Sequence, residues 1–213
     1  MKKLYTILLA AIVVIMALPS CSSLSPMDKA RQNMANTKLK ELKKEGWKIE
    51  GSKTLEVALL DHYQKLEDDD AVEVIGEAIT SSLNLGSRKA LQSAQGKYAE
   101  SASSYLKGSI ENELSSEIKD GDAKEMERFY ASYQSQVAKE ITGQIKESFT
   151  IFRNIGKNQK GNDKYEVKVF CIVNEEAASM ARQRALVNSA RESDLASKYS
   201  SQFSNFAKEP VRY

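Results

Sequence analysis

His62 is the only histidine in this 213-residue chain, and Cys21 and Cys171 are its only cysteines. Hydrolytic triads, Cys–His pairs and multi-histidine metal centres all need more of these side chains than the sequence holds. His62 sits in TLEVALLDHYQKLE, at helical spacing from Leu59 and Leu66, where an amphipathic imidazole packs as a half-buried structural group. Carboxylates are plentiful but poorly arranged for chemistry. The run Glu67, Asp68, Asp69, Asp70 lacks a calcium loop's central glycine and closing glutamate, and KDGDAKE at Lys119 to Glu125 has DGD without the DxDxDG continuation, so both read as solvated turns. Gly76, Gly86 and Gly96 are too widely spaced to cradle a phosphate, and no spacing singles out a carboxylate pair for glycoside hydrolysis. The expectation is therefore a protein with no metal, no cofactor and no catalytic residues. Of the aromatic residues Tyr98, Tyr105, Phe129, Tyr130, Tyr133, Phe149 and Phe152, most have core periodicity. Tyr130 and Tyr133 read as the flank of their helix and are the candidate surface for a ligand or partner.

The N-terminus carries a different kind of chemistry. MKKLYTILLAAIVVIMALPSC places Lys2 and Lys3 before an uncharged stretch, Leu4 to Leu18, that falls short of the roughly 20 apolar residues of a membrane span. A secretory signal peptide over residues 1–20 fits better. Leu18, Pro19 and Ser20 before Cys21 resemble the lipobox of bacterial lipoproteins, with Pro19 a departure from the commonest pattern. That resemblance implies a diacylglycerol on the Cys21 sulfur, cleavage before it, and acylation of the new amino terminus. Two or more acyl chains anchor a protein stably, at about 0.8 kcal/mol per buried methylene. An ordinary secretory signal with an incidental cysteine and a retained span are the competing readings. With Cys21 given to lipid, Cys171 in VKVFCIV has no partner for a disulfide and reads as a small buried hydrophobe.

These residues must be carried by a polar, nearly charge-balanced chain, with 31 Lys and Arg against 29 Asp and Glu. No basic patch points to nucleic acid or to an anionic membrane surface. Residues 21–27 read as a tether and 28–46 as an N-terminal helix anchored by Met34, Leu39 and Leu42, followed by a single domain over 47–213. In that domain Trp47 to Gly51 alternates as a short strand, and Leu55, Ala58, Leu59, His62 and Leu66 mark a helix. Ala71 to Ser82 reads as a strand with both faces partly buried. After a turn at Asn84 to Ser87 comes a long helix whose first half carries Ala90, Ala94, Ala99 and Ala102, small enough to lie close on a sheet. Met126, Phe129, Tyr130, Tyr133, Val137, Ile141 and Ile145 mark a second helix. ESFTIFRNIG and KYEVKVFCIV, either side of KNQKGND, make a hairpin. Asn174 then caps a long helix running to about Lys208, with room for a bend near Ser193 and Asp194. The fold class is α+β: a small, mostly antiparallel sheet of about four strands packed against long helices, ending in a hairpin and a long helix.

The order of a strand ending near Gly76, a helix with Ala90, Ala94 and Ala99, a second helix, and a hairpin leading into an Asn-capped helix resembles the LPP-twenty family of bacterial envelope lipoproteins. That family shares its core with the amino-terminal domain of a flagellar assembly protein. The resemblance covers about residues 47–190 and carries over no functional residue. It implies a lipoprotein that works by contact with other envelope proteins. The expectation is a non-enzymatic protein held by Cys21 at the outer membrane and facing the periplasm, because acidic residues do not follow the cysteine directly. A periplasmic ligand-binding or hydrolytic lipoprotein acting on peptidoglycan or polysaccharide is the alternative; converging carboxylates in a cleft would favour it, and an exposed apolar patch on one helix would favour the first.

Overall fold

The computed structural model describes residues 25–211 except 69, 115 and 119–121. Leu18, Pro19, Ser20 and Cys21 lie outside the described residues. The chain runs through α1 (Pro26–Lys44), β1 (Lys48–Ile49), α2 (Leu55–Asp68), β2 (Ala71–Thr80), α3 (Leu83–Leu114), α4 (Ala123–Ile141), β3 (Lys146–Lys157), β4 (Asp163–Asn174), α5 (Glu175–Ala190), α6 (Asp194–Lys198) and α7 (Ser200–Lys208). The four strands form one antiparallel sheet in the order β1-β3-β4-β2. The α+β class is thus observed, with helices on both faces of the sheet.

β4 explains the two-faced arrangement. Its run VKVFCIV sends Val167, Val169, Cys171 and Val173 into a core shared with α3, α4, α5 and α7, while Phe170 points to a second core with Phe149, Ile151 and Trp47. A central strand covered on both sides is apolar throughout rather than alternating. Burial pushes the Cys171 thiol up to about 12, so it packs as a neutral hydrophobe.

α3 lies directly on β2. A Cβ at Gly76 would stand 1.8 Å from the Ala90 carbonyl oxygen, and one at Gly86 would meet the Val167 and Thr80 side chains at 2.6 and 2.7 Å. Ala90 and Ala94 are fully buried at this crossing, as their small size requires. Gly86 belongs to the first turn of α3 and not to a turn before it. The Asn84 to Ser87 stretch is helical, and its glycine serves packing where the local pattern suggested a loop.

Two other elements depart from expectation. α1 begins at Pro26, inside the predicted tether, because Ser25 and Asp28 form a reciprocal capping box and proline suits the first helical position. The helix docks through Ala35, Leu39 and Leu42, while Met34 is exposed. The predicted long C-terminal helix is three: Ser193 takes a β conformation and caps α6, and α7 restarts after Tyr199. The hairpin, the β2 strand and the Asn174 cap stand as expected, with the Asn174 side chain accepting the Ala177 N–H at 3.1 Å.

Candidate functional site

Tyr130 and Tyr133 divide on opposite sides of the surface. The series Met126, Phe129, Tyr133, Val137 and Ile141 is the buried stripe of α4, which places Tyr133 at 0 % exposure against Phe129, with ring centroids 6.3 Å apart. Tyr133 is therefore a core residue and not a surface one. Burial raises its phenol well above the ordinary value, and its hydroxyl has no hydrogen-bond partner among the described residues. Tyr130 is half-buried, with the Lys107 ammonium 5.9 Å from its ring centroid and its hydroxyl pushed up to about 12 by desolvation. A single half-buried ring is what remains of the aromatic candidate surface.

The structure adds a cleft that the sequence did not suggest. α4, the end of α5 and the start of α6 enclose about 500 Å³ lined by Glu125, Arg128, Ser132, Arg191, Glu192 and Asp194, among others. Three carboxylates meet here, yet two already have work. Glu125 accepts from the Ser193 hydroxyl at 2.6 Å and the Leu195 N–H at 3.0 Å, and these bonds hold its carboxyl below the usual carboxylate range. Glu192 accepts from the Ser132 hydroxyl at 2.8 Å. An anchored, ionised Glu125 is a poor proton donor, so the cleft suits binding of a polar ligand through Arg128 and Arg191 better than hydrolysis.

A second depression of about 510 Å³ lies between α1 and α2, lined by Met27, Ala30, Met34, Tyr63 and Leu66, with the Arg31–Glu67 ion pair at its rim. Met27 and Met34 are 61 % and 56 % exposed, one above the other at i, i+7 on α1. This is an apolar patch on one helix, and it starts at the second residue of the helix that follows the tether.

His62 is more deeply placed than its helical pattern suggested. It is fully buried, ringed edge-on by Tyr63, Phe149 and Phe170, with Nε2 2.7 Å from a Glu73 carboxylate oxygen. Aromatic rings close off the imidazole, which leaves it a structural role between α2 and β2. Asp68 ends α2, and Asp70 takes φ +43° in the turn that leads to β2. Among the described residues, no group of three or more His, Cys, Asp or Glu side chains is placed to hold a metal ion.

Sequence reasoning passed over Arg182, the largest fully buried side chain. Its guanidinium donates to the Tyr98 hydroxyl at 2.5 Å, the Ala207 carbonyl at 2.9 Å, the Glu209 carbonyl at 2.8 Å and the Glu175 carboxylate at 2.5 Å. Tyr105 donates to the Glu209 carboxylate. The cluster staples the C-terminal segment onto α3 and α5. Alanine neighbours on α5 were the one available signal, since an arginine between Ala181 and Ala185 on a buried stripe must find partners.

No protein-family model matches the chain, and no curated protein or solved structure matches it.

Proposed function

We propose that this protein is a non-enzymatic bacterial envelope lipoprotein, anchored by acylated Cys21 to the outer membrane and presenting its α+β domain to a protein partner. The observation that carries the reading is the Leu18-Pro19-Ser20-Cys21 sequence behind a basic and then apolar N-terminus. The capping box at Ser25 supports it from the other side. Helix begins so soon after Cys21 that the four residues 21–24 span at most about 14 Å. Such a tether keeps the domain beside its anchor. Among the described residues no helix is long and apolar enough to cross a membrane.

The element order is what supports kinship with the LPP-twenty lipoproteins: β2, the alanine-faced α3, a second helix, a hairpin and an Asn-capped α5. The exposed Met27 and Met34 patch favours contact with a partner over catalysis. The polar cleft at Arg128 and Arg191 favours a second reading, a ligand-binding lipoprotein that takes an acidic or zwitterionic fragment of the cell wall. Cys21→Ala tests the anchor: the domain should pass from the detergent-extracted membrane fraction to the soluble fraction. A variant that stays with the membrane would overturn the lipid attachment.

A further inference from the structure

β2 is a sheet edge ten residues long with no break in its register against β4. In an antiparallel pair, alternate residues turn both backbone groups to the partner and the others turn both away. The Ile75 carbonyl points outward, where it accepts from the Lys97 ammonium at 3.0 Å, so Glu73, Ile75, Glu77 and Ile79 form the outward set. By the same alternation the N–H groups of all four face away from β4. A row of outward amides and carbonyls at strand spacing is matched by one kind of partner, another extended strand.

The opposite edge shows how this fold protects itself when it does. β1 covers β3 over residues 151 and 152, and beyond Asn154 the strand is bent by a bulge with Gly156 at φ +105°. β2 has neither bulge nor cover. Lys97 guards it, lying 3.7 Å from the Glu77 carboxylate, which Lys168 of β4 also holds at 2.9 Å, while the Glu73 carboxylate lies 2.7 Å from His62 Nε2. Beside the edge, between β2 and α3, runs a groove of about 320 Å³ lined by Glu73, Val74, Ile75, Lys97, Glu100 and Ser101.

We infer that the β2 edge is a docking site for an extended peptide segment of a partner protein, which adds to the sheet as a fifth strand beside Ile75 and displaces Lys97. The inference deepens the protein-contact reading above and is independent of the lipid on Cys21. Side chains of the outward set share one face and alternate acid and isoleucine: Glu73, Ile75, Glu77, Ile79. Directly opposed pairs stabilise a sheet when charges are opposite and when apolar groups meet. The segment that fits alternates a basic and an apolar residue on that face, with small polar residues turned toward α3. Its lysine takes the place that Lys97 leaves beside Glu77, next to Lys168. Two β2 edges from copies of this chain fit less well, because four glutamates would gather on one face.

The probe is the synthetic peptide Lys-Thr-Val-Thr-Lys-Thr-Val-Thr, added to the detergent-solubilised full-length protein and followed by amide hydrogen exchange and NMR. Exchange at Ile75, Glu77 and Ile79 should slow at least tenfold. A peptide N-methylated on alternate residues, lacking the donors, should produce no slowing. Ile79→Pro removes only an outward N–H, a position where an edge strand tolerates proline, and should weaken binding at least tenfold with an unchanged melting temperature. Should that variant unfold, Lys97→Ala provides the second test, since freeing the Ile75 carbonyl should tighten binding. Unchanged exchange at millimolar peptide, slowing by the N-methylated peptide, or slowing that follows protein concentration alone, as self-pairing would, overturns the inference. Failure here leaves the Cys21→Ala fractionation result untouched, so the two readings are separately tested.

Discussion

At the scale of single residues, the strongest demand falls on Arg182. A guanidinium buried to 1 % exposure is tolerable because a carboxylate, a phenol and two carbonyls surround it. Tyr98 shares the burial, which pushes its hydroxyl up to about 12, so it stays a neutral partner at any physiological pH. Arg182→Met should destabilise the protein by about 3–5 kcal/mol in urea unfolding, the cost of leaving a buried partner charge behind. Adding Glu175→Gln should recover part of that loss. The residue scale is also where the sequence was least readable. Tyr130 and Tyr133 are three positions apart on one helix, and a step of about 60° around its axis decides which is core. His62 was legible as structural, but its depth depends on Phe149 and Phe170, more than 80 residues away in the chain.

At the scale of elements, two contacts set the geometry. Gly76 lets the α3 backbone rest on β2, and the intruding carbonyl belongs to the helix itself and cannot swing aside as a side chain would. Gly76→Ala should therefore cost about 3 kcal/mol or more, at the upper end of overpacking, read as a fall in melting temperature with loss of near-ultraviolet circular dichroism. The second contact is Glu125 holding the start of α6. Its folded pKa lies below its ordinary value, so the stability it contributes is present above that value and is lost as pH falls through the folded pKa. Exchange at the Leu195 amide, corrected for its intrinsic rate, should accelerate on acidification through the carboxylate range. Glu125→Gln should abolish that pH dependence. Capping chemistry explains why some boundaries were legible and others not. Asn174 with Glu175 and Glu176 announces a helix locally, whereas the break at Ser193 depends on Glu125, 68 residues earlier in the chain.

At the scale of the whole molecule, the domain has three distinct surfaces: the Met27 and Met34 patch beside the tether, the polar cleft at Arg128 and Arg191, and the open β2 edge. On the proposed lipid anchor, the first would lie nearest the membrane, leaving the edge and the cleft to meet envelope components. Protease shaving of intact cells should leave the domain undigested, and digestion should follow only after the outer membrane is permeabilised. Digestion in intact cells would place the domain on the cell surface instead.

The sequence by itself determined the α+β class, the hairpin, the alanine face of α3 and the Asn174 cap. Each follows from a period of two, a period near 3.6, or a hydrogen bond to a residue three positions on. Only the tertiary structure decided that Tyr133 is core, that Gly86 packs instead of turning, that Arg182 locks the C-terminus, and that β2 keeps an open edge. Those outcomes depend on which distant backbone or side chain arrives at each position, and sequence spacing carries no record of it.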